Sequence, residues 1–128
     1  MFALLISLAA GFKPIITSSS DEKLASLRAD LKRPDLLGYN YRTHPDQVAM
    51  VKQLTDNRGV DFVVNNNGLS GIPADINSLV AMSGTVSMVG FLAGMAADWS
   101  PQVLFALMGK VARLQYVPLP CLAGTIGR

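Results

Sequence analysis

Apolar residues along the chain gather in short runs at 14–17, 38–41, 60–65, 85–90 and 111–117, each of strand length. Between these runs the apolar positions recur at helical spacing. Residues 1–10 are apolar nearly all round and predict a buried helix. The next helix is expected to begin at Ser19, with Glu22 three residues on in the spacing of a capping box, and Leu24, Leu27 and Leu31 on one face. A third is expected to begin near Thr43-His44-Pro45, because proline suits a first helical turn. Val48, Val51 and Leu54 form its stripe, and Gly59 is its stop. Ile72, Ile76, Leu79 and Val80 mark the inner face of a weaker fourth. A fifth begins at Ser100-Pro101 and runs through Val103, Leu104, Leu107 and Met108 to Gly109. Regular alternation of strand and helix, with no hairpin dipeptide between, predicts βα units and a mostly parallel sheet.

Two strands carry extra information. In "RGVDFVV" the run Phe62-Val63-Val64 is continuously apolar and predicts a core strand. In "SGTVSMVGFLAG" a turn at Ser83-Gly84 feeds a strand, and Gly90 lets the backbone approach something closely at its carboxyl end. Open α/β sheets bind ligands beyond the carboxyl ends of their strands. Here those positions are 18–20, 41–42, 65–68 and 90–92, expected to converge on one edge.

Composition narrows the class. The chain has 128 residues, enough for one domain with a real core. Half are hydrophobic and 16% charged, which fits a sheet covered on both faces. The net charge of +2 is scattered, and no basic run, aromatic ladder or zinc-finger spacing points to nucleic acid. Cys121 and His44 stand alone of their types, too few for a disulfide within one chain or for a Cys/His zinc site. A reducing, cytoplasmic compartment is expected. Residues 1–12 resemble a signal-peptide core but lack a preceding Lys or Arg and are too short to span a bilayer. The uncharged stretch 76–97 is broken by Asn, Ser, Thr and Gly and reads as helix end, turn, strand and loop, so no membrane association is expected. Met82, Met88 and Met95 read as core filler, and His44 as a capping or solvent-facing residue.

The stretch "IITSSSDEKL" ends an apolar run in three hydroxyls and starts a helix carrying Lys23 in its first turns. Such a corner suits a phosphate. Together with "SLAAGFKPIITSSSDEKL", the segments "NYRTHPD", "NRGVDFVVNNNG" and "GTVSMVGFLAG" resemble, in order and spacing, the medium-chain dehydrogenase/reductase superfamily. The resemblance covers about residues 2–115 and is to the cofactor domain of zinc-type alcohol dehydrogenase-like and quinone oxidoreductase-like members. It implies a Rossmann-like, doubly wound parallel α/β sheet that binds NADPH or NADH, with substrate pocket and any zinc on a separate domain. It further implies that Ser18 and Ser19 face the adenosine ribose, and that Lys23 and Tyr41 lie by the 2′-phosphate of NADP. Gly90, Phe91 and Leu92 would approach the nicotinamide end, and Asn67 would stand beside the cofactor. Chemistry favours NADP over NAD as well. An NAD binder places a carboxylate at the end of the second strand, whereas Thr17 and Ser18 stand here; Asp21 is the one acid that could still reach a ribose.

The pattern also departs from that family. No G-x-G-x-x-G occurs, and the chain starts where the family is entering the helix after that loop. The expectation is a partial domain, 1–117, lacking its first strand and glycine-rich loop, whose flanking strands would each lose a ladder partner. Pro118 and Pro120 interrupt the expected sixth strand, leaving 118–128 as a divergent tail. "VVNNNG" also resembles a short-chain dehydrogenase signature, but no tyrosine is followed four residues later by lysine. No catalytic constellation stands out, so the expectation is a truncated oxidoreductase domain with little or no activity alone. The alternative is a non-catalytic interaction module that forms homo-oligomers through exposed strand edges.

Overall fold

The computed structural model describes residues 2–90, 92, 94–96 and 99–116. The chain divides into two compact units, Met1–Leu54 and Thr55–Arg128. Both are α/β, and every strand pairing among the described residues is parallel.

The first unit runs α1 (Phe2–Ala9), β1 (Ile15–Ser18), α2 (Asp21–Asp30), β2 (Leu37–Asn40) and α3 (Gln47–Leu54). β1 and β2 form a two-stranded sheet in the register Ile15↔Leu37 to Ser18↔Asn40. α2 packs on both strands, with Leu24 buried. Its last-turn Arg28 ties down the return to β2, donating from Nε to the Leu36 carbonyl at 2.9 Å. α1 departs from the expected buried helix. Of its residues only Leu4 is buried, while Phe2, Leu5 and Ile6 are exposed. An all-apolar helix needs cover on every side, and a unit this small covers one.

Two helix starts move. The N-cap of α2 is Ser20 rather than Ser19: Ser20 Oγ accepts from the Lys23 amide at 3.3 Å. Glu22 then falls one position short of a capping box, and the Ser20 hydroxyl donates to its carboxylate instead. α3 starts after Pro45, not at it. Asp46 caps the helix by accepting from the Ala49 amide at 3.0 Å, and the segment 43–46 forms the approach.

The second unit runs β3 (Phe62–Asn65), a 3-10 turn (Leu69–Gly71), α4 (Ile72–Ser78), β4 (Thr85–Met88), α5 (Pro101–Gly109) and β5 (Arg113–Tyr116). The strand order is β3-β4-β5. Ile72, Ile76, Leu79, Val86, Met88 and Val103 form the core, with Val63, Ala106, Leu107 and Leu114 packed against it. β3 is not a uniformly buried strand. Val63 faces the core, while Phe62 and Val64 are 50% and 45% exposed. Successive residues of a strand point to opposite faces, and the buried α4 and α5 residues cluster with only one of them. For α5 the inner face is Val103, Ala106 and Leu107, while Leu104 and Met108 are exposed. Met88 is core as expected, but Met82 and Met95 are exposed.

Gly59 has a specific reason to be glycine. Its φ is +87°, and a Cβ there would lie 2.8 Å from the Ser78 and Leu79 carbonyl oxygens. This close approach lets the Val60 amide donate to Ser78 O at 3.0 Å and the Val80 amide to Val60 O at 2.9 Å. No described helix is long and apolar enough to cross a membrane.

Burial predicts the stability order of substitutions. Ile76→Ala should cost about 2–5 kcal/mol through lost transfer and a cavity. Leu104→Ala, on the outer face, should cost under about 1 kcal/mol. Urea unfolding of both variants checks this, and equal costs would contradict the assigned face of α5.

Candidate functional site

Two clusters form at carboxyl ends of strands, one in each unit. In the first unit β1 ends at Ser18 and β2 at Asn40, paired in register. The ladder continues one step, with the Tyr41 amide donating to Ser18 O at 3.0 Å. Ser18 Oγ accepts from the Ser20 amide at 3.3 Å, which bends the chain into α2. Ser18, Ser19, Lys23 and Tyr41 thus share one corner at the N-terminus of α2. Lys23, Tyr41 and Arg42 are exposed, and no salt bridge to Lys23 or Arg42 forms among the described residues. His44 is exposed beside Thr43, whose hydroxyl lies 2.9 Å from His44 Nδ1.

Both acids of the first α2 turn are engaged. Asp21 Oδ2 accepts from Asn40 Nδ2 at 3.2 Å. Ser20's hydroxyl, then Glu22's own backbone amide, hold the Glu22 carboxyl below the usual carboxylate range. A depressed carboxyl contributes stability that is present above its unfolded pKa and lost as pH falls through the folded one.

In the second unit β3 ends at Asn65, which is buried together with Asp75 of α4. Asn65 Nδ2 donates to Asp75 Oδ2 at 2.6 Å and to the Gly68 carbonyl at 3.1 Å. Its Oδ1 accepts the amides of Asn67 at 2.7 Å and Gly68 at 2.9 Å. One carboxamide therefore shapes the whole 65–68 loop. That loop meets the end of β4: the Val89 amide donates to Asn65 O at 2.8 Å, and the Leu92 amide to Asn66 O at 3.4 Å. A Cβ on Gly90 would lie 3.1 Å from Asn66 O, so the two loops approach closely there. Asn67, Gly90 and Leu92 are brought together, with Asn67 and Leu92 exposed; Phe91 lies outside the described residues. Nearby, Leu69, Met88, Met95, Leu114, Gln115 and Tyr116 line a mostly apolar cavity of about 310 Å³. Among the described residues no three His, Cys, Asp or Glu side chains converge as a metal site requires.

Asn40 and Asp75 do not stand out in the sequence, and Asn65 does so only as the first of the strand-end positions 65–68. The available signal is an asparagine closing an apolar run, "GYN" and "FVVN", where its side chain can cap the departing chain two residues on.

A zinc-type alcohol dehydrogenase-like protein of Schizosaccharomyces pombe is 36% identical over 110 residues, which is 86% of this chain and 30% of that protein. The chain is related to the medium-chain dehydrogenases/reductases. No family model matches it. A structure named as an alcohol dehydrogenase from Sinorhizobium meliloti 1021 superposes with a TM-score of 0.73 at 30% identity, covering 98% of this chain and 36% of that one. A mycobacterial protein solved in complex with NADPH aligns with a TM-score of 0.68 at 26% identity, over 88% of this chain and 33% of that one. The chain therefore spans about a third of the length of these medium-chain relatives. Its fold is α/β and Rossmann-like, of the kind found in their cofactor domains, and the family is one of oxidoreductases.

Two outcomes follow from this geometry. Asp75→Leu should lower stability by about 1–3 kcal/mol, because it leaves the buried Asn65 amide without one of its two acceptors; thermal unfolding measures it, and an unchanged Tm would show the pair to be idle. Ser20→Ala should cost about 1 kcal/mol through the lost cap. In the same variant the Glu22 carboxyl should titrate nearer its ordinary range by NMR, so the acid-side loss of stability shrinks.

Proposed function

We propose that this chain recognises NADP through the corner at Ser18, Ser19, Lys23 and Tyr41. The observation that carries the reading is the exposed Lys23 ammonium, in no salt bridge among the described residues, in the first turn of the helix that follows Ser18 and Ser19. A 2′-phosphate is a dianion with several acceptor oxygens, and hydroxyl donors, an ammonium and a positive helix end each favour it. The acids of the same turn accept hydrogen bonds from Asn40 and Ser20, and neither forms a salt bridge with Lys23 among the described residues. Taken by itself, the second unit offers Asn67, Gly90 and Leu92, with Phe91, as proposed contacts for a nicotinamide group.

The reaction proposed for the family role is hydride transfer between NADPH and a carbonyl, enone or quinone. The cofactor supplies the hydride, and the protein orients it. We further propose that the chain alone binds without turning over. Calorimetry with 2′,5′-ADP should show binding, and Lys23→Ala should weaken it by about tenfold, the scale of one charge-assisted hydrogen bond. Unchanged affinity in Lys23→Ala would overturn the assignment. Oxidation of NADPH by the purified chain with an aldehyde, enone or quinone would overturn the binding-only role.

One observation favours a second reading. β1 and β3 each have a single ladder partner among the described residues, and Phe62 and Val64 are half exposed on the β3 side. Such edges pair readily with another chain, so the chain would serve as a self-associating module. Sedimentation velocity at several concentrations tests it: a monomer throughout rejects self-association.

A further inference from the structure

We infer that Asn67-Gly68 is a deamidation site, at which the Asn67 carboxamide converts to aspartate or isoaspartate, and that Asn65 sets its rate by holding the Gly68 amide. The inference stands apart from the NADP reading. In this reaction the Gly68 nitrogen gives its proton to hydroxide and attacks Asn67 Cγ. The N–Cγ bond forms, the Cγ–Nδ2 bond breaks, and the amide group leaves as ammonia with a proton from water. Water then opens the cyclic imide. Attack at Cγ breaks the new bond and gives aspartate; attack at the Asn67 backbone carbonyl breaks the old one and gives isoaspartate. A Cβ on the following residue hinders the ring closure, and glycine has none. Asn67-Gly68 is the chain's single Asn-Gly step. The turn itself calls for glycine there: Gly68 has φ +126° and ψ −172°, a conformation open essentially to glycine alone.

The two residues sit in different surroundings. Asn67 is exposed, and no hydrogen bond to its carboxamide forms among the described residues, so ammonia can leave and water can enter. Gly68 is buried, and its amide donates to Asn65 Oδ1 at 2.9 Å. An N–H buried and donated in this way is shielded from hydroxide, so the loop must open before the attack. Asn65 is itself fixed. Its Oδ1 also accepts the Asn67 amide at 2.7 Å, and its Nδ2 donates to Asp75 Oδ2 at 2.6 Å and to Gly68 O at 3.1 Å. Backbone N–H groups only donate, which settles which end of the carboxamide faces them. Asn65 thus grips Gly68 by both its N–H and its carbonyl. Conversion puts a negative charge on an exposed loop position, and isoaspartate also lengthens the backbone that Asn65 grips.

The test follows position 67 by peptide mapping and mass spectrometry, with the full chain held at mildly alkaline pH in native buffer and in unfolding urea. Wild type should convert at Asn67 about tenfold more slowly in native buffer than in urea, the scale of one hydrogen bond. Asn65→Ala should raise the native rate about tenfold and leave the urea rate unchanged. Val103→Ala weakens the same core from α5 without touching the latch, so its native rate should stay within about twofold of wild type. No conversion at Asn67 in urea would overturn the site. Equal wild-type rates in the two conditions, or an unmoved native rate in Asn65→Ala, would overturn the latch. A rise in Val103→Ala as large as that in Asn65→Ala would mean that conversion passes through global unfolding, which overturns the latch as well. The wild-type comparison needs no variant, so it decides the matter even if Asn65→Ala does not fold.

Discussion

A parallel strand that leaves its sheet strands backbone amides that must find acceptors, and in this chain asparagine supplies them. Asn40 and Asn65 each end a strand, and each caps the amide two residues on with its Oδ1. Each then has an NH₂ group to place, and each places it on a carboxylate at or near the start of a helix: Asp21 on α2, Asp75 on α4. Leaving such a group buried and unpaired costs about 1–3 kcal/mol, comparable to removing a buried methyl group or more. The loops carrying the proposed cofactor contacts are thus built outward from two carboxamides. Tyr41 follows one directly, and Asn67 and Gly68 hang on the other.

The order of elements was legible because it depends on periodicity. All five strands and five helices fall where the apolar pattern puts them, within a few residues. What was not legible is how much cover each element receives. The run Phe62-Val63-Val64 and the helix from Phe2 read as fully buried because their residues are apolar, yet burial also requires a neighbour on each side. Composition reports what a residue tolerates, and packing decides what it gets. The shifts at Ser20 and Asp46 have a local cause: two adjacent serines are equally good caps, and a Pro signal competes with an aspartate one residue on.

The candidate corner was legible in its donors and not in the contacts that brace it. Ser18, Ser19, Lys23 and Tyr41 stand out as hydroxyls and a cation at strand ends. Asn40 does not, since an asparagine inside "GYNYR" reads as one more polar residue. Its part depends on a contact nineteen residues back in the chain, which only the pairing of β1 with β2 creates. The relatives support the fold and the family, and the individual contacts are proposals.

Every ladder among the described residues joins two consecutive strands, at separations in a narrow band from Ile15↔Leu37 to Thr85↔Arg113, and none of them waits for a distant segment. The β1–β2 ladder needs nothing beyond Asn40, so it can close while the rest is still being synthesised. Loop-closure entropy grows only slowly with length, and these closures are all of similar size. The corner at the ends of β1 and β2 is thus complete in sequence by Arg42, before any residue of β3 has been synthesised.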